Sequence, residues 1–407
     1  MNKPGLSYKD IQQGGVLLPQ EEMLEVGRKS TKISIGVPCE TSFQENRVPL
    51  IPSAVSFLTA CGHQVLIQSD AGKHAHFQDK DYAEAGARIV YSAKEVYQAD
   101  IVLKISPPTQ EEIEFIRPKQ LLLSAVQSTT QYGDVIRQLM AKKATALAFN
   151  YLRDDEGAFP VVRSMGEIAG STAMLIAAEY LSNANQGKGL MLGGVTGIPP
   201  VEVLIIGAGI VGESAARTAL GLGASVKVFD SSLSRLARMQ HLVGGHHIFT
   251  SLLQPDELAR RMQSADVVIG ALRAAHGRTP CVVTEQMVSE MKYGSVLIDV
   301  SIDQGGCFET SRLTSHDQPT FKKYGVIHYC VPNIASRVAH TASTAMSNIF
   351  APMLASMGEE GGPDQYFRNH PAARSGVYLY QGMVTNEFFA KIYRLPYKDI
   401  DLIMAAL

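Results

Sequence analysis

The stretch Val201-Glu-Val-Leu-Ile-Ile-Gly-Ala-Gly-Ile-Val-Gly212 decides the fold. Val201–Ile206 is an apolar run broken only by Glu202, as expected of a strand buried on both faces of a parallel sheet. It leads into G-x-G-x-x-G at Gly207, Gly209 and Gly212, and a helix is predicted over Gly209–Leu222. Gly207 lets the chain turn out of the strand, Gly209 lets the backbone approach a pyrophosphate, and Gly212 lets the helix lie close to the sheet. The free N–H groups at the helix start, from Gly209 through Ile210 and Val211, face the phosphates together with the positive end of the helix dipole. The next strand, Ser225–Phe229, ends in Asp230, eighteen residues after Gly212. A carboxylate there accepts hydrogen bonds from the ribose hydroxyls and repels a 2′-phosphate, which favours NAD over NADP. Arg235 lies nearby and tempers that preference. A glycine-rich turn without a ligand is the bland alternative, and strand, helix and acid together argue against it.

Outward from this unit, strand and helix keep alternating. Downstream, strands are predicted at Asp266–Gly270 and Ser295–Asp299, with helices at Leu233–Val243, Pro255–Gln263 and Thr284–Met291. Upstream, a second block has strands at Ile33–Val37, Gln64–Gln68, Arg88–Tyr91, Ile101–Ile105, Gln120–Leu123 and Thr145–Phe149. Its helices are predicted at Pro52–Ala60, Asp79–Ala85 and Gln131–Lys142. A long amphipathic segment, Met165–Leu181, and a connector rich in Gly and Asn, Asn183–Gly197, separate the blocks. Beyond Asn333 the pattern is helical through Thr341–Met357, and the tail from Asn369 is mixed and mostly helical. The fold class expected is therefore α/β, two doubly wound Rossmann-like domains with a cleft between them. Such a cleft is a common place for a ligand.

The 407 residues leave room for two or three domains. A composition 45% hydrophobic and 19% charged suits a globular chain with sizeable cores. A net charge of -2, with Lys and Arg spread along the chain, gives no footprint for nucleic acid. Apolar runs such as Val203–Ile206 are far too short to span a bilayer. Residues 1–32 lack the basic start and apolar centre of a secretory signal. With Pro4, Gly5, Gly14 and Gly15 they read as a poorly ordered arm, or as a segment packed on a neighbouring subunit. Cys39, Cys61, Cys281, Cys307 and Cys330 form no CxxC pair, so neither a zinc site nor a disulfide framework is expected. Reduced thiols in apolar cores fit a cytoplasmic protein. His246, His247, His328 and His340 show no metal-ligand spacing with an acid, and no metal is expected.

Asp299 and Asp303 stand at and just beyond the end of the strand Ser295–Asp299, where ligands bind in an open parallel sheet. Asp303, in Ile302-Asp-Gln-Gly-Gly306, is placed to orient substrate or to move a proton; an ordinary turn residue is the bland reading. Lys104 ends the apolar strand Val102-Leu-Lys-Ile105, where an unpaired ammonium is costly, so it either snorkels out or meets an anion. With Arg47, after the polar turn Ser42–Asn46, it forms a candidate clamp for a small carboxylate. Separate surface salt bridges are the alternative.

Several ordered motifs carry a resemblance. They are Ile35-Gly-Val-Pro-Cys-Glu-Thr41 with Glu45-Asn-Arg-Val48, Val102-Leu-Lys104, Met165-Gly-Glu-Ile-Ala-Gly170, Leu192-Gly-Gly-Val195, the glycine motif through Asp230, Val300–Glu309, and Tyr329-Cys-Val-Pro-Asn333. From about Ile33 to the C-terminus the chain resembles the alanine dehydrogenase family, which is related to the first domain of the proton-translocating nicotinamide nucleotide transhydrogenase. The resemblance implies NAD-dependent, reversible oxidation of L-alanine to pyruvate and ammonia. It implies substrate binding by Arg47 and Lys104, an active-site role for Asp303, a place near the nicotinamide for Asn333, and adenosine contacts for Asp230 and Arg235. It also implies a homo-oligomer, dimer or hexamer, and a discontinuous substrate domain of residues 33–164 and 341–407 around a cofactor domain of 165–340.

The chain departs from the family at the catalytic histidine. Leu121-Leu-Leu-Ser-Ala-Val-Gln127 puts Gln127 there, which hydrogen-bonds a carbonyl but does not cycle a proton near neutral pH. Lesser departures are Gly166 for serine and Asn150 for glutamate. The acid–base role is therefore expected of Asp303 with water, helped by Lys104, while Gln127 orients the substrate, and turnover of alanine is expected to be weakened or altered. Two rival expectations remain: a transhydrogenase-like NAD(H)-binding subunit acting with a membrane partner, favoured by Gln127 and opposed by Asp303, and an NAD-binding regulator without turnover.

Overall fold

The computed structural model describes residues 30–126, 132–244, 248–274 and 278–406. The strands of the first block are β1 (Ser34–Val37), β2 (Gln64–Gln68), β3 (Arg88–Val90), β4 (Ile101–Leu103), β5 (Leu121–Ser124) and β6 (Thr145–Ala148). Those of the second are β7 (Glu202–Ile206), β8 (Ser225–Asp230), β9 (Phe249–Leu252), β10 (Val267–Gly270), β11 (Val296–Asp299), β12 (Thr320–Lys323) and β13 (Val326–Tyr329). The C-terminal tail adds β14 (Val377–Tyr380) and β15 (Met383–Val384).

The first sheet runs β3-β2-β1-β4-β5-β6-β14-β15 and the second β9-β8-β7-β10-β11-β13-β12. The six strands β1–β6 are parallel, as are β7 to β11 and β13, while β14, β15 and β12 add antiparallel edges. Both sheets thus have the doubly wound order, reversing direction between β1 and β4 and between β7 and β10. Ligands bind at the carboxyl edge of such a reversal.

The central strands are apolar on both faces because helices cover both sides. Val203–Ile206, Val267–Ile269 and Val296–Ile298 are all completely buried. Each such side chain contributes about 1.5–3 kcal/mol through burial. Helix starts are fixed locally: Pro52, Pro160 and Pro255 occupy first turns, and Ser232, Thr284 and Thr109 cap helices through their hydroxyls. The long helix Pro160–Leu181 lies flat on the helix Ile210–Gly221. A Cβ at Gly170 would stand 2.2 Å from the Val211 carbonyl oxygen, so only glycine permits this approach.

The predicted strands match within one or two residues. The long helix starts earlier than expected, at Pro160. The tail departs from its mostly helical expectation: Val377–Tyr380, entirely buried, hydrogen-bonds to β6 and extends the first sheet. β9, β12 and β13 are also strands that the periodicity does not disclose. Within the connector, Asn183–Asn185 is a short 3-10 turn, and Val195 and Ile198 form an isolated bridge. No helix among the described residues is long and apolar enough to cross a membrane.

Candidate active site

The glycine turn has the geometry its spacing implies. Gly207 has φ 114°, in the left-handed region, and a Cβ there would lie 2.5 Å from the Ala271 carbonyl oxygen beyond β10. A Cβ on Gly212 would stand 1.8 Å from the Gly207 carbonyl oxygen. Gly209 is different: nothing lies within 4 Å of its hypothetical Cβ, and no side chain caps the helix that starts at Ile210. The helix whose first turn includes the half-buried Ile210 and Val211 therefore begins beside open space at Gly209, with its first N–H groups uncapped by any side chain. Asp230, 1% exposed, accepts the N–H of Ala208 at 2.7 Å and that of Ser232 at 2.8 Å. Arg235 reaches over it, Nη1 to Oδ2 3.8 Å. Open space at Gly209, an uncapped helix start and an acid at the tip of β8 fit a dinucleotide's diphosphate and ribose.

Arg47 lies in the extended segment after β1, and the backbone of that segment is held by serines rather than by a strand. Ser336 Oγ accepts the N–H of Asn46 at 2.9 Å and donates to the Gln44 carbonyl at 2.8 Å. Ser343 and Ser347, one turn apart on the helix Ala339–Glu359, accept the N–H groups of Val48 and Ile51 at 2.9 and 2.8 Å. Arg47 donates through Nε and Nη2 to the two carboxylate oxygens of Glu45, at 2.7 and 2.6 Å. Its Nη1 lies 3.4 Å from Met165 Sδ. Asn333, at φ 59° and ψ 47°, donates Nδ2 to Glu45 Oε2 at 2.8 Å, so it joins Arg47 through a shared carboxylate.

Lys104 meets anions of its own chain. Its ammonium is wholly buried, 2.7 Å from Glu112 Oε2, 3.8 Å from Glu40 Oε2 and 3.4 Å from the Pro107 carbonyl. Glu112 also accepts the Thr109 N–H at 2.7 Å as part of a capping box. Glu40 accepts the N–H groups of Ile105 and Ser106, spanning from the β1 loop to the β4 loop at the reversal point. Burial raises the Glu40 pKa, Lys104 opposes this, and the charge of Glu45 adds to the rise, so the two ion pairs are electrostatic neighbours.

Asp303 lies in the 3-10 turn Val300–Gln304 after β11. Its side chain is exposed, and desolvation against the neighbouring protein raises its pKa while the charge of Arg273 opposes the rise. No hydrogen bond joins Asp303 to Arg47 or Lys104 among the described residues. Asp299, fully buried, anchors the Asp303 loop by accepting Ser311 Oγ at 2.6 Å and the N–H groups of Ser301 and Cys307 at 3.1 and 3.2 Å. Burial pushes the Asp299 pKa up to about 6 despite those donors. Gln127, His246 and His247 lie outside the described residues, as do all but the last three of residues 1–32.

Sequence reasoning missed Glu40, Glu45, Glu112 and Arg273. Glu45 was within reach of it, since residues two apart in extended chain share a face. Among the cysteines, Cys307 and Cys330 are buried thiols, but Cys61 and Cys281 are exposed, against the expectation of core positions. Both sit where the chain leaves the sheet layers, Cys61 at a helix C-terminus and Cys281 in the loop before Glu285–Ser289. Asn150 clamps Val126 by accepting its N–H and donating to its carbonyl, at 3.0 and 3.1 Å, a pair of bonds that an ionised glutamate does not make. Gly166 faces Ile210, where a Cβ would lie 3.1 Å from Cγ2.

Comparison with known proteins gives consistent matches. The family described as "Alanine dehydrogenase/PNT, N-terminal domain" matches residues 36–169, and "Alanine dehydrogenase/PNT, C-terminal domain" matches residues 173–387. Alanine dehydrogenase 2 of Staphylococcus aureus (strain USA300) is 36% identical over 370 residues, covering 91% of this chain and 99% of that protein. A solved L-alanine dehydrogenase superposes with a TM-score of 0.83 at 35% identity, over 89% of this chain and 99% of the other. The transhydrogenase of Sinorhizobium meliloti shares the fold, with a TM-score of 0.74 at 22% identity over 87% of this chain and 99% of its own. On sequence and fold alike, the chain belongs to the alanine dehydrogenase/PNT family.

Proposed function

We propose that this chain is an NAD-dependent amino-acid dehydrogenase that interconverts L-alanine with pyruvate and ammonia. The observation that carries the reading is the open helix start at Gly209, beside the buried Asp230 and on the carboxyl edge that also bears Asp303. Names of the relatives supply the substrate. The dinucleotide, when bound, supplies the hydride acceptor. The N–H groups after Gly209 would hold its diphosphate, and Asp230, with Arg235 at the rim, would hold its adenosine ribose. Asn333 would stand at the nicotinamide end.

Arg47 holds the substrate carboxylate. Its Nε edge is committed to Glu45, so Nη1 and the free proton of Nη2 form the presenting edge. Lys104 backs the same end of the first sheet. It reaches a substrate carboxylate only where Glu40 yields its place, and otherwise balances the charge of Glu40 and Glu112. Asp303 accepts the proton released on oxidation and orients the water that attacks the imine, while Gln127 orients the carbonyl or amine. Holding these groups at fixed distance converts encounter into positioned reaction.

The test is NADH formation from L-alanine by the purified chain and by Asp303→Asn. Loss of a general base lowers turnover by about 10²–10⁴-fold. Equal rates in the two proteins would remove Asp303 from the mechanism. A second reading, an NAD(H)-binding subunit that works with a membrane partner, is favoured by Gln127 at the histidine position. NADP-dependent hydride exchange on addition of membranes, without alanine turnover, distinguishes it. The described domains, the cytoplasmic compartment and a homo-oligomeric state belong to the same proposal.

A further inference from the structure

Among the described residues, the side chain of Glu45 is a hydrogen-bond acceptor shared by the candidate substrate clamp and the cofactor lobe. Its carboxylate, in a residue only 8% exposed, takes Arg47 Nε at 2.7 Å, Arg47 Nη2 at 2.6 Å, the Arg47 backbone N–H at 3.1 Å and Asn333 Nδ2 at 2.8 Å. Arg47 belongs to the segment after β1, whereas Asn333 lies beyond β13 in the other sheet, 288 residues from Glu45. The two flanking contacts run the same way: Asn46 N–H to Ser336, and Gln44 Oε1 to the N–H of His316 at 2.7 Å. Segment 44–47 is therefore stitched to the second lobe on both sides of Glu45.

A guanidinium bound through Nε and Nη2 loses rotation about its last torsions. What remains is one defined edge for a second carboxylate. Removing the Glu45 charge frees that rotation and leaves a buried guanidinium without its counter-ion, so what Asn333 holds is no longer coupled to the clamp by an ion pair.

We propose that Glu45 is a positioning residue, resting on the function read above, which fixes the presenting edge of Arg47 and ties it to Asn333, so that the clamp is aligned to the nicotinamide end of the cofactor. Glu45 does not touch the substrate; it acts through Arg47. Its effect belongs in affinity for the oxo acid and not in affinity for NADH.

The experiment is calorimetric titration of pyruvate into the NADH complex of the wild-type chain, E45Q, N333A and the double variant, with NADH titrations and steady-state KM and kcat for each. Loss of a hydrogen bond to a charged group predicts about 10- to 100-fold weaker pyruvate binding in E45Q, with NADH affinity within about threefold and KM raised more than kcat falls. Because Asn333 acts on the substrate only through the Glu45–Arg47 ion pair, which E45Q has already removed, the double variant binds pyruvate no more weakly than E45Q. Pyruvate affinity within about twofold of wild type in E45Q, or effects of E45Q and N333A that multiply, overturns the proposal. Should circular dichroism show E45Q unfolded, E45D takes its place: it keeps the charge on a shorter arm, and the same non-additivity with N333A is expected. If the wild-type NADH complex takes up no pyruvate, the dehydrogenase reading fails and this inference with it. If it does and E45Q matches it, only the role of Glu45 fails.

Discussion

The carboxylate of Asp230 and the backbone N–H of Ala208 are hydrogen-bonded at 2.7 Å, which ties the tip of β8 to the middle of the glycine turn. One acid thus braces the glycine turn with one oxygen, and in the proposed function the same carboxylate takes the ribose. Asp230→Asn keeps the shape of the side chain but offers one acceptor where the carboxylate offered two. NADH binding is expected to weaken by about tenfold or more, and the preference for NADH over NADPH to narrow. Fluorescence titration of both cofactors checks this. An unchanged NADH affinity contradicts it.

Two glycines of the same turn separate folding from binding. A Cβ at Gly212 would lie 1.8 Å from the Gly207 carbonyl oxygen, so Gly212→Ala forces helix and strand apart. Overpacking of this kind costs about 1–3 kcal/mol, read by urea unfolding. Gly209→Ala meets nothing within 4 Å and changes stability by only a few tenths of a kcal/mol. It is nevertheless expected to weaken NADH binding, because its methyl would enter the space proposed for the diphosphate. Equal effects of the two substitutions on stability refute the distinction.

Lys104 serves stability whatever else it does. Its ammonium is enclosed by Glu112, Glu40 and a carbonyl. Lys104→Met leaves two buried carboxylates without a cation, and breaking a buried pair in this way costs about 3–5 kcal/mol. Chemical unfolding of the variant without any ligand measures it. A loss below about 1 kcal/mol, the range of an exposed pair, shows that the enclosure is not formed in solution.

Asp299 makes stability fall as pH rises through mild acid. In the folded chain its pKa is pushed up to about 6, while an unfolded aspartate titrates near 4. Between those values the native state holds the extra proton, so stability is greatest below about pH 4, declines up to about pH 6, and is level above; the difference is on the order of 3 kcal/mol. His328 acts with the opposite sign. Its ring is buried, Nδ1 donating to the Val326 carbonyl and Nε2 accepting from Thr310, and burial drives its pKa down to about 4. Stability from that group rises with pH between about 4 and 6.5. The two slopes oppose each other, so the informative quantity is wild type minus Asp299→Asn. That difference should move in favour of wild type, by on the order of 3 kcal/mol, as pH falls from 6 to 4. A difference independent of pH contradicts the raised pKa.

Local spacing made the glycine turn legible. β7, Gly207, Gly209, Gly212 and Asp230 fall within 30 residues, and each has a conformational or chemical requirement visible in its own type. The paired carboxylates were not legible for the opposite reason. Lys104 announced that it needed an anion, but Glu40 lies 64 positions away and comes to it only through the β1–β4 reversal. Asn333 and Glu45 meet across 288 residues. Likewise Val377-Tyr-Leu-Tyr380, four buried residues with no alternation, becomes a strand only because β6 offers it an edge. The serines at 343 and 347 have the spacing of one helix face, yet what they bond is an extended segment nearly 300 positions upstream.

The measurement that bears most directly on this account is calorimetric titration of the purified chain with NADH and, separately, with NADPH. NADH should bind at a single site per chain, and NADPH at least about tenfold more weakly, because the Asp230 carboxylate repels a 2′-phosphate. No heat with NADH, or tighter binding of NADPH, contradicts the claim that the turn after β7 and the acid at the tip of β8 hold NAD.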